Sequence, residues 1–385
     1  MLALADSAYS NARTGPITLF FAATGGGVQS VQVTLAGALA ERGFAVNCVL
    51  PQAKGPYLPQ LPDKVEIVDL ETRSPLTLVH RLARFLRRRR PSLLFAAQHH
   101  TIVAAVLARR LAASRVPLVA VQHNTLSEVC RNSRYRLTRW FIPTALRMLL
   151  PQAETVGAVS EGVARDLAST TGLPLSRVTV LYNPVVQQGL AERAAVPTGH
   201  PWLDSKDAPI VLGVGSLIER KDFPTLIHAF AHLTRGRRAR LVVLGEGPER
   251  PRLERLIGEL GLGAIVSLPG FATNPLAYMA KADVLALSSR VEGLPTVIVE
   301  ALACGAPIVA TNCPHGPAEL LGDGTYGRLV PVGDAEAFGD ALAATLSEPR
   351  DPERQRQRAA EFSVERAVER YVQLIRAYGA ASAAA

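Results

Sequence analysis

This sequence predicts two α/β domains, each a Rossmann-like layer structure on a parallel sheet, facing each other across a cleft. Three observations carry that expectation. Short apolar runs alternate with helix-period segments, the alternation lapses near residue 185 and resumes near 209, and 385 residues exceed one ordinary domain. The first run, 17–23, ends at Thr24-Gly25-Gly26-Gly27, a turn from which a helix over 28–42 can start sharply. Strands at 46–50 and 65–69 follow, then a helix at 75–89, a strand at 93–97, a helix at 100–114 and a strand at 118–123. A basic helical region spans 132–149. A strand at 155–159 then leads to a helix that Ser160 can cap, and Val178 to Leu181 closes the unit at Tyr182-Asn183-Pro184.

Residues 185–208 carry Gly189, Pro197, Gly199 and Pro201 with little periodicity and read as a connection. Strands near 209–214, 240–244, 265–268, 284–287 and 308–311 then alternate with helices near 223–234, 249–260, 275–281 and 296–304. A last helical stretch, Ser363 to Tyr378, is long enough to cross both domains. The expected division is therefore 1–190, a linker at 191–208, a second domain at 209–362, and a crossover helix with tail at 363–385.

Composition excludes several classes. Hydrophobic residues make up 48% and charged residues 19%, yet no apolar run reaches the roughly 20 residues of a membrane span. The start, MLALADSAYSNAR, lacks the basic and apolar blocks of a secretory signal, so a cytoplasmic location is expected. Cys48, Cys130, Cys304 and Cys313 show no Cys-x-x-Cys spacing and sit in or beside apolar segments, which points to reduced core residues and to no bound metal. The net charge of +9 is uneven, with 21 basic and 10 acidic side chains in the first 190 residues. Two basic stretches dominate, 80–90 and 131–147, the second interleaving arginines with Trp140 and Phe141. Each fits an anionic membrane surface, and each also fits plain solvated charge. No nucleic-acid reading motif accompanies them, so nucleic acid is not an expected partner.

The chemistry concentrates in Glu292 to Glu300, EGLPTVIVE. Pro295 suits a first helical turn, which puts Thr296 near a helix start whose free amides and dipole attract phosphate. Glu292 before that turn and Glu300 inside it can accept hydrogen bonds from hydroxyls. No Ser or Thr stands three positions before Glu300, so a capping box does not explain it. A diphosphate flanked by polyols fits the combination. The glycine turn at Gly25, Gly26 and Gly27 suits a phosphate as well as a purely structural turn. The stretch GVGSLIERKDF brings Ser216, Arg220 and Lys221 to a second strand end, where cations can neutralise a leaving diphosphate. His123, at the end of another strand, reads either as a site residue or as a structural one.

Together these motifs resemble the retaining glycosyltransferases of the GT-B fold, in the group called family 4 or group 1. The likeness covers nearly the whole chain: GGGVQSVQVTLAGALAERG at 25–43, VQHNTLS at 121–127, AVSEGVARDL at 158–167, YNPV at 182–185, GSLIERKDF at 215–223, LGEGPER at 244–250, LPGF at 268–271, and SSRVEGLPTVIVEALACGAPIVAT at 288–311. The last is the most specific, since similar enzymes carry Glu-x7-Glu there.

The resemblance implies a nucleotide-sugar as co-substrate, no cofactor, and a glycan acceptor, lipid-linked given the basic first half, in the synthesis of a surface polysaccharide or glycoconjugate. It implies Glu300 on the ribose hydroxyls and Glu292 near the transferred sugar. Backbone amides of Gly293, Leu294, Pro295, Thr296 and Val297, proline lending only its place in the turn, would surround sugar and phosphate. Arg220 and Lys221 would bind the diphosphate under the loop at 25–27, Gly270 and Phe271 would face the base, and His123 would face the donor from the acceptor side. Many relatives have Arg where Ser216 stands, so the donor stays open. A nucleotide-sugar hydrolase or epimerase, or a non-catalytic binding module, are the alternatives. An NAD enzyme would need the GxGxxG fingerprint that is missing.

Overall fold

The computed structural model describes residues 15–22, 27–131 and 136–383, in two parallel-sheet domains. The first contains β1 (Ile17–Phe20), α1 (Gly27–Glu41), β2 (Val46–Leu50), β3 (Glu66–Asp69), α2 (Pro75–Arg89), β4 (Leu93–Ala97) and α3 (His99–Ala112). It continues through β5 (Leu118–Gln122), α4 (Leu126–Arg131), α5 (Arg136–Leu149), β6 (Thr155–Ala158), α6 (Glu161–Thr171) and β7 (Val178–Val180). Its seven strands run in the order β3-β2-β1-β4-β5-β6-β7, every neighbouring pair parallel. Helices cover both faces, so β1, β2, β4 and β5 are buried along their whole length and read as continuous apolar runs. Ser160 caps α6 as expected, its side chain accepting from the Val163 amide.

The connection is less plain than its composition suggests. It holds two short helices, α7 (Leu190–Ala195) and α8 (Pro201–Asp204), and Val186 bridges to Ser363 near the end of the chain. Helices of four and six residues are too short to show a period, which is why the sequence reads as irregular there.

The second domain comprises β8 (Ile210–Val214), α9 (Phe223–Thr234), β9 (Arg240–Leu244), α10 (Arg250–Glu259), β10 (Val266–Gly270), α11 (Pro275–Lys281), β11 (Val284–Leu287), α12 (Thr296–Ala303) and β12 (Ile308–Thr311). After these come α13 (Pro317–Leu320), β13 (Arg328–Val330), α14 (Ala335–Ser347) and α15 (Pro352–Ala359), a stretch to which the sequence reading assigned no elements. The sheet order is β10-β9-β8-β11-β12-β13, again parallel. Of the basic helical region at 132–149, residues 136–149 form α5, which tolerates Pro143 within it, and 132–135 lie outside the described residues; the short α4 precedes it.

The last helix, α16 (Val364–Ala383), returns to the first domain and packs on α1 and β4. Tyr371 is fully buried there, its ring 5.5 Å from that of Phe95. Strand order reverses between β1 and β4 in one sheet and between β8 and β11 in the other, and crevices beyond such reversals are where open α/β sheets take ligands.

Candidate active site in the interdomain cleft

A cleft of about 680 Å³ opens between the two sheets. It brings together Gly27 and His123 from the first domain with Ser216, Arg220, Lys221, Phe271, Glu292 through Val297, and Glu300 from the second. Gly25 and Gly26 lie outside the described residues. Gly270 ends β10 with φ +96°, and a Cβ there would stand 2.8 Å from Oε1 of Glu246, a side chain that lines the cleft. Its neighbour Phe271 is half exposed on the lining.

The loop between β11 and α12 carries most of the second domain's contribution. Pro295 is the N-cap residue of α12 rather than a residue of its first turn, and Thr296 opens the helix. The first turn of α12 has no acidic side chain and no side-chain cap, so its leading amides are left for a ligand at the cleft.

Glu292 anchors the charged centre. Its side chain is 6% exposed, with Lys221 Nζ at 2.6 Å from Oε1 and Arg220 NH1 at 3.0 Å from Oε2. Ser289 Oγ donates to Oε1 at 2.6 Å. Burial works against the charge, but Lys221, Arg220 and the hydrogen bonds outweigh it and hold this carboxyl below its ordinary value. Three donors therefore occupy a group that can accept about four hydrogen bonds. Glu292 thus holds both cations beside the uncapped start of α12. Arg220 NH1 also donates to the Val291 carbonyl, and the side chain stays 40% exposed at the cleft.

Glu300, one turn into α12, is half-buried and makes no ion pair among the described residues. Burial raises its carboxyl to about 7, and the more distant Arg193 only partly offsets this. Its charge reaches Tyr57, whose phenol is raised by burial and then by Glu300. Both Tyr57 and Arg193 line the cleft, and neither was singled out in the sequence. Their signal was absent because one sits before a three-residue turn and the other in the connection.

His123 follows β5 and is buried, which lowers its imidazole to about 4 and keeps it neutral. Its Nε2 lies 3.3 Å from Gln32 Nε2, so with the amide in this orientation the ring accepts there and carries its proton on Nδ1. That Nδ1 has no partner among the described residues. Asn183, from the Tyr-Asn-Pro turn, lines the same cleft with an unpartnered buried Oδ1. Unpaired buried polar atoms in a cleft are fit to meet a polyol.

No described residue of the two basic stretches lines this cleft. In α2, Arg81 donates to the carbonyls of Leu70 and Glu71, Arg87 to those of Leu111 and Ala112, and Arg89 pairs with Glu66, so part of that charge is structural. On α5, Trp140 is 82% and Phe141 69% exposed, and Met148, seven and eight positions on, shares their face. Among the described residues no helix is long and apolar enough to cross a membrane.

Comparison with known proteins places these features. Residues 25–188 match the family model described as Glycosyltransferase Family 4, and residues 201–362 match that of Glycosyl transferases group 1. An N-acetylgalactosamine-N,N'-diacetylbacillosaminyl-diphospho-undecaprenol 4-alpha-N-acetylgalactosaminyltransferase of Campylobacter jejuni is 33% identical over 203 residues, 53% of this chain and 53% of that protein. An alpha-D-kanosaminyltransferase of Streptomyces kanamyceticus is 35% identical over 254 residues, 64% of this chain and 65% of its own. The chain spans about half the length of the first curated relatives it matches. Among solved structures, Anabaena HepE in complex with UDP and glucose superposes with a TM-score of 0.78 at 20% identity, covering 94% of this chain and 100% of that one, so the two share a fold.

Proposed function

The chain belongs to the glycosyltransferases of group 1, family 4, with the GT-B fold, and on that premise we propose that it is a retaining, metal-independent hexosyltransferase. It moves a sugar from a UDP- or GDP-sugar to a glycan acceptor carried on a lipid, in the assembly of a surface polysaccharide or glycoconjugate. One observation carries this reading: a buried Glu292 holds Lys221 and the half-exposed Arg220 beside the uncapped start of α12, on the cleft wall that faces His123. The diphosphate would lie against those cations and amides, with the ribose on Glu300 and the base beside Phe271. The Anabaena neighbour's UDP and glucose, and the diphospho-undecaprenol in the Campylobacter relative's name, are consistent with such a donor and acceptor.

In the proposed step the bond from the anomeric carbon to the diphosphate breaks, and its electron pair leaves with the phosphate oxygen. The acceptor hydroxyl oxygen bonds to the same carbon on the same face, and its proton passes to that phosphate oxygen. Charge therefore grows on the diphosphate, where Arg220, Lys221 and the α12 amides are already fixed and need not reorganise. Neutral His123 adds a hydrogen-bond donor to the sugar.

The exposed Trp140, Phe141 and Met148 among arginines support seating at the inner face of the cytoplasmic membrane, where such an acceptor is held. The test is nucleoside diphosphate release from a panel of nucleotide-sugars with a lipid-diphosphate acceptor, with and without a chelator, and the anomeric configuration of the product by NMR. Retained configuration and chelator-insensitive turnover are expected. An inverted product overturns the retaining step, and hydrolysis unaffected by acceptor favours a hydrolase.

A further inference from the structure

The loop that carries Glu292 belongs to the second domain but is gripped by the first. Thr125 Oγ1, two residues past His123, donates to the Glu292 carbonyl at 2.8 Å, and both groups are buried. Ser160 Oγ donates to the Gly293 carbonyl at 2.9 Å while accepting from the Val163 amide at 3.1 Å, so one hydroxyl caps α6 and holds the loop. The approach is close: a Cβ on Gly293 would stand 2.3 Å from the His123 carbonyl oxygen, which only glycine permits. From the second domain, Glu319 returns the contact, accepting from the Glu161 and Gly162 amides and from the Tyr182 hydroxyl at 2.8 Å. Neither Thr125 nor Ser160 lines the cleft.

We propose that Thr125 and Ser160 are positioning residues, a two-hydroxyl clasp that sets the Glu292–Arg220–Lys221 cluster in register with His123. The proposal rests on the transferase reading above. Most of the proposed donor contacts, to Arg220, Lys221, the α12 amides, Glu300 and Phe271, would lie within the second domain, whereas transfer needs His123 and the acceptor side aligned with them, and a shift of about 1 Å in such alignment can cost on the order of a hundredfold in rate. Loss of the clasp should therefore lower turnover and spare donor affinity. A contact that only holds the fold would move both, or neither.

Thr125→Val keeps the shape and removes the hydroxyl, and Thr125→Ser restores it; Ser160→Ala is less clean because it also uncaps α6. For each protein, UDP-glucose and GDP-mannose serve as donor probes, with binding measured by calorimetry and nucleoside diphosphate release by steady-state kinetics. Amide hydrogen exchange is followed in 123–127 and 292–296. Thr125→Val is expected to lose tenfold or more in kcat with Kd changed less than twofold, and to exchange faster in both segments, with Thr125→Ser within threefold of wild type. Unchanged kcat, or a fall in kcat matched by a rise in Kd, overturns the proposal, as does unchanged exchange in both segments. A wild-type protein that neither binds nor turns over these donors removes the transferase reading instead, and the exchange arm still decides whether the clasp holds the loop.

Discussion

Glu300 is the acid whose environment makes the sharpest demand. Its carboxyl is raised from 4.5 to about 7 by burial, with Arg193 offsetting part of the rise. To accept from two ribose hydroxyls it must ionise, so donor affinity should rise with pH, by up to about tenfold per unit below 7. Calorimetry at pH 6 and pH 8 checks this, and Glu300→Gln should flatten the dependence as well as weaken binding. The stability sign is opposite. The folded state holds this proton more tightly than the unfolded chain, so Glu300 costs nothing below 4.5 and destabilises progressively as pH rises to 7 and beyond. Thermal melts of Glu300→Gln should accordingly gain on wild type at pH 8 and match it at pH 4.

Lys221→Ala should abolish most turnover and also lower stability by about 1–3 kcal/mol, since Glu292 stays buried with Arg220 and Ser289 as its remaining donors. Denaturant titration measures that loss, and a wild-type midpoint would show the pair to be dispensable for folding. The Glu-x7-Glu element and the two cations are legible in the sequence because residue types and local spacing mark them. Their pairing is not, because Lys221 and Glu292 are 71 positions apart and meet only once β11 lies beside β8 in the sheet.

At the scale of elements, α16 shows what a long helix contributes that a local pattern cannot reveal. Its Tyr371 is fully buried against Phe95, and the hydroxyl has no partner among the described residues. Tyr371→Phe is therefore predicted to match or exceed wild-type stability by up to about 1 kcal/mol, because it removes an unsatisfied buried polar group. Tyr371→Ala should cost about 3–5 kcal/mol by opening a cavity under the crossover helix. Equilibrium unfolding separates the two, and a destabilised Tyr371→Phe would mean that the hydroxyl is satisfied in solution. The central strands β1, β2, β4, β5, β11 and β12 are legible as apolar runs since burial on two faces leaves no room for alternation. The region from 317 to 359 is not: β13 is three residues long, and α15, PERQRQRA, buries only Ala359. The helices inside the connection at 185–208 escape for the same reason, with α7 too short to show its face although it carries Arg193 into the cleft.

The whole molecule divides its labour between halves of different charge. The first 190 residues carry the basic excess and the exposed Trp140 and Phe141, while the second half carries the ion cluster and the helix start that suit a diphosphate. Sedimentation with anionic vesicles should show binding that weakens between 0.05 and 0.5 M salt, by roughly the threefold fall in screening length, and Trp140→Ala with Phe141→Ala should reduce it further. Binding indifferent to salt would remove the electrostatic part of that reading. Two sheets with facing crevices were legible from alternation alone, but the contacts that bring them together, Thr125 and Ser160 on one side and Glu319 on the other, could come only from the assembled structure. The central claim is that this cleft is a nucleotide-sugar site. Its most direct test is a thermal-shift titration of wild type, Glu300→Gln and Lys221→Ala with UDP-, GDP- and ADP-sugars. A concentration-dependent rise in Tm with the sugars of one base, lost or much reduced in both variants, is predicted; no rise with any sugar at millimolar concentration, or an equal rise in all three proteins, would contradict it.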